Sequence, residues 1–549
     1  MFVSVVPLVE CSLGGCEKHV YRGSFSAIPF FCYFLYYGSM KILFTILFLI
    51  SSFFVSPFCL QAEKVKQSLS NFEHLDAIVE GARKKWDVPG ISVAVVKDGK
   101  IIHAKGYGYR DLATKKLVTP ETVFQIGSIS KSFTSTLAGI AVSQKKCSWN
   151  TPVKNIMPSF QMHSPWVTEH FTVEDLFAQK SGLPEKTGDM QALLDYTNQE
   201  IIYNLRFIPT EGFRAHFSYQ NVFYLLAGQM LEELTQQPLD QLLQEKLFNP
   251  LGMQNTICSF KRYLEREDRA SFYALMDDHS LVHIPDQAPF LPKVDQYRAA
   301  GGIHSTATDI AKWLAFHMNE GKVGKRQLLS KKQLRKLHCP QVYMRHIGSS
   351  PSYYCLGWMY TEDAPKSFIW HTGETFGVKT AAAFIPEEKL GIVVLTNMRG
   401  TKAPEGIVRD FFDHHFGREN RNWVDHFYQK EKKALSSPQA KIAVPHSPEL
   451  SEYVGTYQNQ IYGEARIVQE KDRLILVLGP KKSHLILYPK GSDRFSVYWS
   501  CGGLKDNAIE FSRDQHGKVA EMSFDLFSEE SSAQFQRTSQ DHSTLFGYL

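Results

Sequence analysis

Phe124-Gln125-Ile126-Gly127-Ser128-Ile129-Ser130-Lys131-Ser132-Phe133-Thr134 sets a serine three residues ahead of a lysine. Apolar residues then recur at Ile129, Phe133, Leu137 and Ile140. That spacing predicts a helix, with Ser128 at or near its N-terminus and Lys131 one turn on, on the same face. A serine hydroxyl is a weak nucleophile until a base takes its proton. A desolvated lysine within hydrogen-bond reach has a lowered pKa and can serve as that base. Free N–H groups at a helix start can stabilise a developing oxyanion. The spacing alone also fits an ordinary amphipathic helix, since Ser143 and Lys146 repeat it with no other support.

Working outward, apolar positions at Phe72, Leu75, Ile78, Val79 and Ala82 predict a helix over 71–86, ended by Pro89-Gly90. Ile91 to Val96, Asp98-Gly99 and Ile101 to Tyr107 read as a β-hairpin around a tight two-residue turn. From Trp149 to about Ser350 the chain is mainly helical. Helices are expected at Val173–Gln179, at Val222–Leu234, and after the cap Ser305-Thr306-Ala307-Thr308-Asp309. Strands are expected again at Tyr354–Met359, Ser367–His371, Thr380–Ile385 and Leu390–Thr396, followed by a helix over Pro404–Phe416. This order predicts an α+β fold: one antiparallel sheet built from both ends of the domain, flanked by helices, with a mainly helical subdomain beside it. Residues 419–446 are polar and read as a linker with room for the start of a helix. Short alternating runs from Leu450 to Arg537 predict a small all-β barrel or sandwich.

The chain has 549 residues, enough for two or three domains, and a net charge of +5. No basic stripe interleaved with aromatics suggests a nucleic-acid partner. No P-loop, His-Glu-x-x-His or Cys-x-x-Cys pattern occurs. Met40-Lys41, the apolar run 42–60 and the polar turn after Ala62 read as a secretory signal, so we expect translation to begin at Met40 and residues 1–62 to be absent from the mature chain. The same run is long enough to span a bilayer, so an uncleaved anchor is the alternative. The expected destination is the periplasm or the medium. Four of the nine cysteines (Cys11, Cys16, Cys32 and Cys59) precede that point. Of the five that remain, Cys339 and Cys355 are the best candidates for a bridge.

Two more groups complete a pattern. Tyr219-Gln220-Asn221 directly precedes the apolar helix at Val222, and His371-Thr372-Gly373 lies at a predicted strand end, followed by Glu374. With Ser128 and Lys131, these resemble the three ordered motifs of the serine β-lactamase-like hydrolases: class C β-lactamases, penicillin-binding proteins, D-aminopeptidases and certain esterases. Ser181-Gly182-Leu183-Pro184, Gly301-Gly302-Ile303-His304-Ser305-Thr306, and the pair Phe384-Ile385-Pro386 and Leu390-Gly391-Ile392 also look like segments of that family. The resemblance runs from about Leu69 to Phe416, and Tyr453-Val454-Gly455-Thr456-Tyr457 resembles the opening of its accessory β-domain. Decoys exist. Tyr196-Thr197-Asn198 and Tyr457-Gln458-Asn459 fit the second motif, and Lys186-Thr187-Gly188 fits the lysine form of the third, but each lacks the right order or flanks.

The resemblance implies that Ser128 forms an acyl-enzyme, that Lys131 and Tyr219 share the proton transfers, and that Asn221, His371, Thr372 and Gly373 bind substrate. It places the oxyanion hole at the backbone N–H groups of Ser128 and Glu374, and it requires no metal or cofactor. His371 departs from the lysine of β-lactamases. Histidine is mostly neutral near pH 7, which tilts the expectation toward a D-amino-acid peptidase or an esterase. The expected partner is a small molecule or short peptide. The alternatives are a class C-like β-lactamase, a non-catalytic binder of peptidoglycan fragments or β-lactams, and an adaptor working through the β-domain.

Overall fold

The computed structural model describes residues 72–276, 280–418, 421–435, 449–498, 507–524 and 534–539. The expected signal segment, Cys501, and 419–420 and 436–446 of the expected linker lie outside the described residues. No described helix is long and apolar enough to cross a membrane.

Helix α1 (72–85) leads into strands β1 (Gly90–Lys97) and β2 (Lys100–Asp111). Their hairpin turns at Asp98 and Gly99, both with positive φ (51° and 76°), as a primed two-residue turn requires. Strand β3 is Lys116–Leu117. The sheet resumes with β4 (Val342–Ile347), β5 (Ser350–Tyr354), β6 (Met359–Thr361), β7 (Phe368–Glu374), β8 (Lys379–Ile385) and β9 (Leu390–Thr396). The order across its nine strands is β4-β5-β6-β7-β8-β9-β1-β2-β3. Strand β1 pairs antiparallel with β9 from Ile91↔Thr396 to Lys97↔Leu390, so the two ends of the domain meet as expected.

Both faces of this sheet are covered, which explains why its central strands are apolar throughout rather than alternating. Side chains of a strand point to opposite faces in turn. Val93, Val95, Ala383 and Ile392 enter a core under α1 and α5 (Ala403–His415). Ala94, Val96, Phe384 and Val393 enter the larger core shared with the helical subdomain. That core holds α2 (Ser130–Ser143), α3 (Val222–Thr235) and α4 (Ala307–Met318). Helix α4 is capped by the Thr306 hydroxyl, which accepts from Asp309 N at 3.1 Å.

The apolar run Tyr354–Met359 is not one strand. It is the corner between β5 and β6: Cys355 N donates to Trp358 O at 2.8 Å, and Gly357 takes φ +80° against α2, where a Cβ would lie 2.5 Å from Ser135 Oγ. The run is apolar because the corner is buried, and burial mimics a strand signal. Within the stretch read as a linker, Trp423–Leu435 forms helix α6, packed on α5 through Trp423 and Val424. The Asp410 carboxylate accepts the Trp423 and Val424 N–H groups and so caps it.

The Cys339–Cys355 bridge is not formed. The Cys355 thiol points inward and donates to His338 O at 3.2 Å, while Cys339 lies exposed past the helix Lys331–His338. Further along the chain, eight strands from Gly455–Asn459 to Gln534–Ser539 close into a barrel, as the alternating runs predicted. The first and last strands pair with each other (Tyr457↔Arg537). Its apolar interior is continuous with the larger core.

Candidate active site

Ser128 lies in a single 3-10 turn, Gly127–Ile129, immediately before α2. The turn is placed by long-range contacts. Ile126 N donates to Ile303 O at 3.0 Å, and Ile303 N donates to Ser130 Oγ at 3.1 Å. Gly127 has φ +53°, and a Cβ there would lie 2.6 Å from Glu374 N. Gly373 is held as closely, since its Cβ would meet Ile126 O at 1.9 Å. Only glycine fits both positions. Together they bring the serine turn against the end of β7, with the backbone of Glu374 beside that of Ser128.

Helix α2 is buried on nearly every side rather than on one stripe. Its hydroxyl residues are satisfied locally or by neighbours. Ser132 Oγ donates to Ile129 O and accepts from Trp313 Nε1, and Thr134 Oγ1 donates to Ala299 O. Lys131 is therefore fully buried at the helix start. Its ammonium donates to Ser128 Oγ at 3.1 Å, Asn221 Oδ1 at 2.6 Å and Ala300 O at 2.9 Å, which uses all three of its protons. The rings of Tyr219 and Tyr224 lie 4.9 and 5.2 Å from its nitrogen. Burial pushes its pKa down from 10.5 to about 7, against the pull of the Asp189 carboxylate. Neutral and charged lysine thus coexist near pH 7.

Tyr219 and Asn221 arrive together on the segment leading into α3. The Tyr219 oxygen is in hydrogen-bonding reach of Ser128, and burial raises its pKa well above 10. The phenol therefore stays protonated where the lysine titrates. Asn221 turns its oxygen to Lys131 and donates its amide N–H groups to Asp189 Oδ1 and Oδ2 at 3.1 and 2.9 Å.

On the other wall, β6 pairs only with Phe368–Trp370 of β7. His371, Thr372 and Gly373 extend past its end, and among the described residues no strand pairs with that edge. His371 is fully buried. Its Nδ1–H donates to Thr372 O at 2.6 Å, so its Nε2 accepts from Tyr354 OH at 3.2 Å. Burial, helped by the charge of Lys131, drives its pKa down to about 3, so it is neutral. Below the turn, burial favours the neutral form of Glu374, but Lys379 outweighs it and holds the carboxyl below its ordinary range. Lys379 bonds Glu374 at 2.7 Å and contacts Glu405 at 3.3 Å, anchoring the residue whose N–H faces the serine turn.

Ser128, Lys131, Tyr219, Asn221, His371, Thr372, Gly373 and Glu374 are thus brought together around the serine turn. The decoys stand elsewhere. Tyr196 donates to Tyr462 O of the barrel at 2.6 Å, Tyr457 is a barrel strand residue, and Lys186 sits in a turn with φ +61°. Three contributors escaped sequence reasoning: Asp189, Tyr354 and Lys379. Asp189 directly follows the rejected Lys186-Thr187-Gly188 triplet, whose Lys186 N donates to Tyr219 O at 2.8 Å. No spacing rule links it to Asn221, because the two meet only through packing. Among the described residues, no group of acidic, histidine or cysteine side chains is arranged to hold a metal.

The chain belongs to the beta-lactamase family, whose model matches residues 75–411. A domain family of unknown function, DUF3471, matches 439–543. The unguisins hydrolase ungD' of Aspergillus campestris is 27% identical over 74% of this chain and 79% of its own length. Protein flp of Staphylococcus aureus strain MW2 is 27% identical over 61% of this chain and 64% of its own. The octameric penicillin-binding protein homologue from Pyrococcus abyssi superposes with a TM-score of 0.58 at 22% identity, over 85% of this chain and all of its own. That likeness bears on the fold, a β-lactamase/transpeptidase fold with an added barrel.

Proposed function

We propose that the protein is an exported serine hydrolase that forms an acyl-enzyme on an amide or ester substrate. The observation that carries this is the buried Lys131, held 3.1 Å from Ser128 Oγ with a pKa near 7. Neutral Lys131 accepts the Ser128 proton as Oγ bonds to the substrate carbonyl carbon. The resulting oxyanion is taken by the N–H groups of Ser128 and Glu374, donors of a kind typically worth on the order of 10²–10³ in rate each. Lysine is the base rather than tyrosine, because Tyr219 is raised and Lys131 lowered. Tyr219 passes a proton to the leaving group as the carbonyl re-forms, and is reprotonated from Lys131. Water then attacks the acyl-enzyme by the same route in reverse.

The substrate is a D-amino-acid peptide or an ester rather than a β-lactam. A neutral His371 offers no permanent charge to a substrate carboxylate. The edge at Thr372 and Gly373, with which no described strand pairs, suits an extended, peptide-like chain. The likeness to an unguisins hydrolase supports hydrolytic chemistry.

The test is labelling of the whole protein by a fluorophosphonate and by a fluorescent penicillin, each beside Ser128→Ala. Serine-dependent fluorophosphonate labelling is expected. Its absence with both reagents would sink the proposal. A penicillin adduct that turns over rapidly would instead favour a β-lactamase. Export is tested by sequencing the N-terminus of the protein secreted by its native host, where a start after Ala62 is expected and intracellular retention contradicts it.

A further inference from the structure

An asparagine amide has an oxygen end and an NH₂ end of nearly the same shape. Lys131 needs the oxygen end of Asn221, and nothing in the asparagine itself decides which end it shows. Behind Asn221 stands Asp189, the first residue of the short helix Asp189–Leu193. An ionised carboxylate only accepts hydrogen bonds. Both of its oxygens accept from Asn221 Nδ2, at 3.1 and 2.9 Å, so the NH₂ end is fixed away from the lysine.

We infer that Asp189 is a positioning residue for the base: it orients the Asn221 amide toward Lys131 and sets a negative charge beside a buried ammonium. This rests on the proposed role of Lys131. The groups facing that ammonium come from several elements. Ser128 lies on the serine turn, and Tyr219 and Asn221 lie on the segment before α3. Tyr224 lies on α3 and Ala300 O on the loop before Gly301. The β7 residue His371 is neutral, and the tyrosines stay protonated. Asp189 is the group whose charge opposes the effect of burial on Lys131. Without it the lysine would lose its proton at lower pH.

The carboxylate is also firmly carried. At the far end of its helix, Asp195 meets Lys293 and the barrel residue Lys481, each at 3.1 Å. The Leu194 carbonyl closes on Gly479 of the barrel, where a Cβ would lie 2.6 Å away. Asn204, on the helix that follows, donates to Gln191 Oε1 and to Ile461 O of the barrel.

The test is the pH dependence of Ser128 labelling by a fluorophosphonate in the full chain, for wild type, D189N and D189E. The acid limb should move to lower pH in D189N by about one unit, in line with removal of a nearby opposite charge. D189E, which keeps the charge, should return the limb toward wild type. KM for an ester substrate should change less than about twofold, because a positioning residue acts through another group. Should D189N not accumulate as a folded chain, D189S carries the same comparison. An unmoved acid limb in a folded, charge-removing variant overturns the inference, and so does a raised KM with an unmoved limb. No Ser128-dependent labelling in the wild type would instead count against the hydrolase proposal itself.

Discussion

One helix carries the same spacing at both ends, and the two ends have nothing chemical in common. Ser128 and Lys131 stand at the start of α2, Ser143 and Lys146 at its finish. Lys131 is fully buried, gives its three protons to fixed oxygens and has a pKa near 7. Ser143 is the last helical residue and returns its hydroxyl to Gly139 O, while Lys146 lies beyond the helix, exposed, on Leu234 O. What makes a lysine a base is removal from water beside a fixed acceptor, and spacing supplies neither.

The largest effect should come from Ser128→Ala, which is expected to reduce fluorophosphonate labelling and turnover to background. Lys131→Met should lower kcat/KM by on the order of 10²–10⁴, the usual worth of a general base. Wild-type kcat/KM should fall about tenfold per pH unit below pH 7, as Lys131 takes up its proton. A flat acid limb would place the lysine on a level with Lys146.

The same titration bears on stability. The folded-state pKa of Lys131 is depressed, so between about 7 and 10.5 the unfolded chain holds a proton that the folded chain lacks. Stability from this group therefore rises with pH across that window, by up to about 1.4 kcal/mol per unit, and is lost as pH falls through 7. Urea denaturation of wild type and Lys131→Met at pH 7 and 10 should show the slope only in wild type.

His371→Ala should cost roughly tenfold in kcat/KM, the scale of one lost buried hydrogen bond, while Lys186→Ala retains activity. The reverse would mean that the third motif is the lysine triplet. Smallest of all, Ser143→Ala and Lys146→Ala should leave activity unchanged and stability within about 0.5 kcal/mol, measured by thermal melting.

Much of the fold was legible because its signals are local. The Asp98-Gly99 turn fixed the hairpin, and apolar runs marked β8 and β9 almost to the residue. The edge strand β4 was missed because its side chains are mostly exposed or half-buried and carry no clear pattern. The polar stretch around helix α6 offered no more than a helical start, since the place of the helix depends on Asp410 and the α5 surface. Corner Cys355–Trp358 looked like strand because buried turns are as apolar as strands.

By itself the sequence determined the α+β order of elements, the barrel after it, and the ordered set Ser128, Lys131, Tyr219, Asn221 and His371. Local spacing and flanking phrases encode these, so they need no knowledge of neighbours. Only the tertiary structure decided that Lys131 is dry, that His371 is neutral beneath Tyr354, that Asn221 is backed by Asp189, and that Cys355 leaves Cys339 unpaired. Protonation and hydrogen-bond direction depend on what excludes water and which distant charges arrive, and those are properties of packing.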